Sequence, residues 1–320
     1  MSGTSGAAEP FAGIDRGALP DDAVLSSGKV RDIIDLGSRL IFTTTDRISA
    51  FDRVLGTVPY KGEVLTALSH YWFGKTADIV ANHAIRRISA RSFLAHKCEV
   101  IPVEVVVRGF LTGSAWRDYQ AGKPVSGIRL PEGLRFNQEF ETPLVTPSTK
   151  ESGGGHDEPI SGAEAVERGL VDKERWREIQ SAALSLYQRG RELCADRGLI
   201  LVDTKYEFGI ADGMLVLIDE IHTPDSSRFW YADSYQRLFE AGEKQRKLDK
   251  EYLRQWLLER GYAGEGEPPE IPDEVFAEVS RRYIQAYETI TGKPFPYASR
   301  ERQSERQKIL SAVAEERNRL

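Results

Sequence analysis

The stretch LILVDTKYEFGIADGMLVLIDE (199–220) decides the reading of this chain. Its first half alternates, with Asp203, Lys205 and Glu207 on one face and Thr204, Tyr206, Phe208 and Ile210 on the other. Three charges on one strand face are costly unless they meet water, a metal or each other. The second half returns through Met214 to Asp219-Glu220, so the stretch predicts two antiparallel strands. Their register depends on the turn. A two-residue Asp212-Gly213 turn places Asp219 with Tyr206 and Phe208. A three-residue loop, Ala211-Asp212-Gly213, moves Asp219 to the face of Asp203, Lys205 and Glu207, with Leu215 and Leu217 beside them. The longer loop is the expectation. It gives one apolar face (Tyr206, Phe208, Ile210, Met214, Val216, Ile218) and one site face, and Gly213 suits the left-handed bulge position. Clustered carboxylates with a lysine suit magnesium and phosphate, and Leu215 and Leu217 suit an adenine pocket. An exposed salt-bridge ladder fits the same charges.

Outward from this pair, the pattern is strands first and mixed elements later. Val30 to Leu36 and Leu40 to Thr45 flank Gly37-Ser38 and predict a hairpin. Residues 61–80 carry Val64, Leu65, Leu68, Tyr71 and Trp72 at helical spacing. Residues 100–107 predict a buried strand whose Pro102 marks an entry, an edge or a crossover. Residues 142–160 are a long Pro/Gly/Ser/Thr-rich loop, and 146–160 is a candidate lid. Ser161 to Glu164 has capping-box spacing. A helix follows with Trp176, Ile179, Ala183, Leu186, Tyr187, Leu193 and Cys194 on one stripe, ended by Gly198. Two more helices are predicted near 250–260 and 273–291, the second capped by Asp273. Residues 299–320 predict a peripheral helix or a frayed tail. This order argues for α+β rather than a doubly wound fold. The expected division is a flexible tail over 1–19, a β-rich nucleotide-phosphate lobe over 20–100, and an α+β substrate and magnesium lobe over 101–320.

Composition narrows the function. A net charge of −6 over 320 residues argues against affinity for nucleic acid. Two distant cysteines, Cys98 and Cys194, argue for a reducing compartment, hence the cytoplasm, and against structural zinc. The first twenty residues predict no signal peptide, and no run reaches the roughly 20 apolar residues of a membrane span. Local cationic segments therefore stand out. Gly28-Lys29-Val30-Arg31 places Lys29 and Arg31 on one strand face, without the helix that a Walker loop needs. Arg108 ends the predicted strand before Gly113-Ser114, where Ser114 could cap a helix and complete a phosphate site. Thr223 to Arg228 is turn-like and is expected to bring Arg228 near the Asp219 end of the strand pair. Solvated arginines and an ordinary cap fit these residues too. His156-Asp157-Glu158, on the glycine-rich loop, is a candidate for substrate contact.

Four segments closely resemble one family. SGKVRD (27–32), IPVEVVVRGFLTGS (101–114), LVDTKYEFG (201–209) and LIDEIHTPDSSRFW (217–230) are similar, in this order, to the SAICAR synthetases, the phosphoribosylaminoimidazole-succinocarboxamide synthases. The resemblance spans about residues 20–295 and is to the longer, yeast-like form, which favours a monomer. It implies an ATP-dependent ligase of purine biosynthesis that joins L-aspartate to carboxyaminoimidazole ribotide (CAIR). It implies a two-lobed fold akin to kinases and ATP-grasp enzymes, with a small antiparallel-sheet lobe, a larger α+β lobe, and ATP and Mg2+ as cofactors. By resemblance, Lys29 and Arg31 contact nucleotide phosphate, Glu104 lies near adenine, and Glu207 and Asp219 hold nucleotide and magnesium. Arg108, Ser114 and Arg228 hold the ribotide 5′-phosphate, and Asp203 and Lys205 lie near the imidazole. Asp52, Lys150 and Asp157 match positions near the reacting carboxylate or the incoming aspartate. A small-molecule kinase with the same nucleotide cleft, or a nucleotide-sensing module without turnover, are the alternatives.

Overall fold

A computed structural model of the chain describes residues 10–21, 23–150, 158–248, 251–297 and 302–319. In chain order the elements begin with β1 (Val24–Ser27), β2 (Arg31–Asp35), β3 (Arg39–Thr44), β4 (Arg47–Ala50), β5 (Arg53–Thr57) and α1 (Lys61–Thr76). Then come β6 (Ala81–Asn82), β7 (Ala84–Arg87), β8 (Ser92–His96), β9 (Glu99–Phe110), α2 (Gly113–Gln120), β10 (Glu139–Thr149), α3 (Gly162–Glu167) and α4 (Lys173–Ala195). The rest is β11 (Leu199–Ala211), β12 (Met214–Ile218), β13 (Ser227–Tyr231), α5 (Ala232–Glu240), α6 (Glu251–Leu258), α7 (Asp273–Thr291) and α8 (Arg302–Arg317). The fold is α+β, as expected. None of the described helices is long and apolar enough to cross a membrane.

The chain gathers into two compact units: Met1–His70, Ala84–Lys97 and Asp249–Leu320 form one, Tyr71–His83 and Cys98–Leu248 the other. A cut at residue 100 therefore misassigns two pieces. The C-terminal helices belong with the first unit because Ile309, Ala312 and Val313 of α8 bury against Ile34, Ile41 and Leu94. Residues 71–83 belong with the second because β6 pairs with β12.

The first unit is built on an antiparallel sheet of order β1-β2-β3-β8-β7. The β2–β3 hairpin is the one its sequence predicts, with Gly37 left-handed at the turn. Residues 10–19 are not a loose tail. Phe11 and Ile14 pack on the core formed with α8, and Leu19 is buried. Their backbone N–H groups are held by Asp46 and Asp32, each at 2.7 Å. Satisfied donors on a buried segment are what keep it in place.

The second unit is a six-stranded sheet of order β10-β9-β11-β12-β6, with β13 on the other part of β11. β9 is central, so Pro102 sits on neither an edge nor an entry. It falls where the β9–β11 register shifts between Glu207 and Gly209, the irregularity that tolerates a missing N–H. Val103, Val105, Val107, Tyr206, Phe208 and Leu217 bury one face of this sheet. Helix α4 covers that face, burying Trp176, Ile179, Ala183, Leu186 and Tyr187. The capping box at Ser161 is present, but it starts only the short α3. Asp172 caps α4 separately. At α7 the cap position is Pro272, with Asp273 in the first turn.

The β11–β12 turn overturns the expected register. Ala211 pairs with Met214, so the loop is the two residues Asp212 and Gly213. Both are left-handed, with φ 51° and 76°, as a type I′ turn requires. Val216 and Ile218 therefore share the face of Glu207, while Leu215 and Leu217 join the apolar face, away from the site face expected of them. Asp219 lies beyond the end of β12 and is itself left-handed at φ 67°. Its direction is thus set by a backbone turn rather than by strand parity.

Candidate active site

Three alternate residues of β11, Asp203, Lys205 and Glu207, carry charge on the face away from α4. Strand pairing sets their neighbours. Asp203 lies opposite Arg108 of β9 on one side and Arg228 of β13 on the other. Glu207 lies opposite Glu104. At an average rise of about 3.3 Å per residue, the two pairings are roughly 13 Å apart along the strand.

At the Asp203 end, Arg228 Nη1 donates to Asp203 Oδ2 at 2.6 Å, and Arg108 Nη1 lies 3.6 Å from the same oxygen. Arg108 Nε donates to Thr146 Oγ1 at 2.9 Å, and that hydroxyl donates to the Val106 carbonyl at 2.9 Å. The Arg108 guanidinium is thus aimed from two sides. Burial lowers its pKa, and the Asp203 charge opposes that effect. An arginine stays protonated in either case. A Cβ on Gly113 would lie 2.3 Å from Arg228 Nη1, so only glycine lets this guanidinium reach the start of α2. Gly113 also needs its left-handed φ of 60°. Ser114 is inside the first turn of α2, and Thr112 occupies the cap position, so Ser114 is not the cap. Its place near the helix N-terminus still suits an anion. Arg228 falls beside β11 just beyond the Asp219 end of the β11–β12 pair. Residues 227–231 form a strand rather than continuing the turn, and that strand delivers Arg228 to Asp203.

At the other end, Lys205 Nζ donates to Glu104 Oε1 at 2.9 Å and also to Glu207 Oε1. Lys150 Nζ donates to Glu207 Oε2. The lysine between them is what allows two glutamates to stand directly opposite one another. Burial alone would raise the Glu207 carboxyl; the two ammonium groups outweigh it and hold the group down to about 2. Burial alone would discharge Lys205; the two carboxylates outweigh it and raise its pKa above the ordinary lysine range. The two glutamates and two lysines balance in formal charge. Asp219 is half-buried, and the neighbouring Glu220 is buried and accepts from Thr223 Oγ1 at 2.5 Å. Among the described residues no three His, Cys, Asp or Glu side chains gather as a metal cage. Carboxylates such as Glu207 and Asp219 fit magnesium only in the manner that takes most ligands from phosphate and water.

Two tyrosines hold β11 from behind. The Tyr187 hydroxyl donates to the Leu201 and Val202 carbonyls at 2.8 and 3.0 Å, where the β11–β13 register shifts. The Tyr206 hydroxyl lies 2.6 Å from His222 Nε2. His222 is buried, and burial pushes its pKa down to about 3, so the ring is neutral.

In the first unit, Lys29 sits in the β1–β2 turn rather than on a strand, and Arg31 opens β2. Lys29 Nζ pairs with Asp52 at 2.5 Å, both well exposed. Asp52 and Phe51 form the β4–β5 turn with φ 61° and 52°. Left-handed Phe is uncommon and is held here by ring contacts with Tyr262 and Arg254. Arg47 escaped the sequence reading. Its guanidinium donates to the carbonyls of Gly28 at 2.9 Å, Lys29 at 3.2 Å and Arg31 at 3.2 Å, fixing the backbone that carries Lys29. Residues 146–149 of the candidate lid belong to β10 rather than to a loop, and residues 151–157, including Asp157, lie outside the described residues.

A sheet that offers a surplus of guanidinium charge at one place and a neutralised carboxylate centre at another fits an enzyme acting on phosphorylated small molecules. A family model for SAICAR synthetase matches residues 24–270. The chain is 50% identical over 279 residues to the phosphoribosylaminoimidazole-succinocarboxamide synthase of Legionella pneumophila (strain Lens), covering 85% of this chain and 89% of that protein. The SAICAR synthase of Saccharomyces cerevisiae, solved in complex with SAICAR, superposes with a TM-score of 0.78 at 37% identity, over 89% of this chain and 99% of that one. A SAICAR synthetase solved in complex with ADP gives a TM-score of 0.66 at 26% identity, over 86% of this chain and 100% of that one. The chain belongs to the SAICAR synthetase family.

Proposed function

We propose that the chain joins L-aspartate to CAIR, using ATP and giving SAICAR, ADP and phosphate. The observation that carries this reading is Asp203 flanked in register by Arg108 and Arg228 at the start of α2. One carboxylate between two guanidinium groups leaves a surplus positive charge, which suits the ribotide 5′-phosphate. The relatives solved with SAICAR and with ADP support the same pairing of ligands.

In this reading a carboxylate oxygen of CAIR attacks the γ-phosphorus of ATP. ADP leaves and an acyl phosphate forms. The aspartate amine then attacks the acyl carbon, the amide bond forms, and phosphate leaves as the amine gives up a proton. Lys205 and Asp203 orient the imidazole substrate. Lys29 and Arg31 contact nucleotide phosphate, and Glu104 lies by the adenine. Lys150 and Asp52 serve the carboxylates of the substrates. Glu207 and Asp219 would hold magnesium, which supplies neutralisation of phosphate charge. Positioning and electrostatics carry such a reaction, since phosphoryl transfer asks for little covalent work from protein. Holding the reactants together accounts for roughly 7–11 kcal/mol of barrier lowering. The working form is a cytoplasmic monomer, which sedimentation at assay concentration checks.

ADP release, measured with each substrate omitted in turn, tests the reaction. Dependence on both aspartate and CAIR is the expected result. Release with CAIR alone at the full rate would point instead to a small-molecule kinase.

A further inference from the structure

Glu207 has two carboxylate oxygens, and each has its own ammonium group. Lys205 takes Oε1 and Lys150 takes Oε2. The two lysines are not equivalent. Lys205 rises from β11 itself, is shared with Glu104 at 2.9 Å, and its side chain is 29% exposed. Removing it would leave two facing glutamates. Lys150 follows the end of β10, its ion pair among the described residues is with Glu207, and its side chain is 38% exposed. Its backbone is anchored independently, through Lys150 N–H to the Pro102 carbonyl at 3.2 Å. The side chain can therefore leave Glu207 without disturbing the strand.

A divalent cation on Glu207 would need one of these oxygens. Magnesium demands a near-octahedral oxygen shell, and an ammonium cannot share the same lone pair beside a doubly charged ion. Oε1 is locked by a lysine that two carboxylates hold. Oε2 is held by the lysine that has one carboxylate partner among the described residues and the more exposed side chain. We propose that Lys150 competes with the divalent cation for Glu207 Oε2, and so sets how tightly the metal–nucleotide pair binds. The inference rests on the reading of Glu207 as a metal-holding carboxylate and adds the residue that opposes it. A cation set this way binds only when its gain exceeds that of the lysine, which favours the metal delivered with phosphate oxygens over the free ion.

The test is binding, not turnover. Free Mn2+ is counted by electron paramagnetic resonance, with the full chain and saturating ADP. Lys150→Met should bind Mn2+ about tenfold more tightly than wild type, and Lys150→Arg, which keeps a cation in reach, should stay within about threefold. Lys150→Gln is the second neutral variant should Lys150→Met fold poorly. Lys123→Met removes an exposed lysine with the same change in net charge, and it should change Mn2+ binding by less than twofold. Unchanged or weaker Mn2+ binding in both neutral variants would overturn the proposal. Equal tightening in Lys123→Met would also overturn it, as a general charge effect. Failure of the underlying reading looks different: Glu207→Gln would bind Mn2+ as well as wild type does.

Discussion

The two ends of β11 carry the same alternation and opposite logic. Around Glu207, two glutamates meet two lysines and the charges cancel. Around Asp203, two arginines meet one aspartate and a positive charge is left over. Arginine presents a rigid planar fork that holds an anion in one pose, whereas lysine is a flexible point charge that exchanges partners. The guanidinium end is suited to a group that stays bound and unreactive throughout, as a 5′-phosphate does. The ammonium end is suited to groups that arrive, react and leave. The difference teaches that charge count and cation type, more than the presence of charge, separate an anchor from a reaction centre on one strand.

The comparison breaks most readily at Glu207. Glu207→Gln keeps the shape and leaves Lys150 and Lys205 without their shared anion. Loss of a preorganised electrostatic group at a reacting centre costs about 10²–10³ in kcat. That loss is expected in steady-state kinetics, with the KM for ribotide changed little. A ribotide KM that rises in step with the fall in kcat would merge the two ends into one binding site.

The opposite signature is expected at the other end. Arg108→Met removes a charged hydrogen bond of about 1.5–3 kcal/mol, which raises the ribotide dissociation constant roughly tenfold to a hundredfold. Turnover at saturating ribotide should stay within a few-fold. Titration calorimetry with ribotide alone reads this directly, and an unchanged dissociation constant would remove Arg108 from the anchor.

The alternation at Asp203, Lys205 and Glu207 was legible because strand parity is local. So was the hairpin around Gly37. The turn at Asp212-Gly213 was misread although Asp-Gly is a strong signal for a two-residue turn. The longer loop was preferred because it delivered Asp219 to the site face. It assumed that the strand stays regular up to Asp219, and a left-handed φ there voids the assumption. Arg228 was legible as a cation at the Asp219 end of the strand pair, but its strand was not, since the partner of Ser227 to Tyr231 is a tertiary choice. Arg47 could not be found, because its work is to bind three carbonyls of a turn that lies sixteen to nineteen residues away. Residues 10–19 read as a tail because their hold comes from Asp46 and Asp32, which no local pattern announces.

The support behind the ammonium end sharpens the comparison by a smaller effect. Tyr206 sits between Lys205 and Glu207 with its hydroxyl on His222, whereas the guanidinium end is backed by Tyr187, which bonds only to carbonyls. Only the first support contains an imidazole. His222 ionises at about 3 in the fold and at about 6.5 in an unfolded chain. The unfolded state therefore binds more protons between those values, and stability rises with pH across the window. The contribution of neutral His222 is complete above about pH 6.5 and is lost as pH falls toward 3. At pH 5 the loss is about 2 kcal/mol, at about 1.4 kcal/mol per pH unit. His222→Gln keeps a hydrogen-bonding partner for Tyr206 and cannot titrate. Urea unfolding of both proteins at pH 7 and pH 5 should show the wild type losing about 2 kcal/mol more than His222→Gln. Equal losses would mean that this end has no titrating support, and that the two halves of β11 differ only on the face that carries their charges.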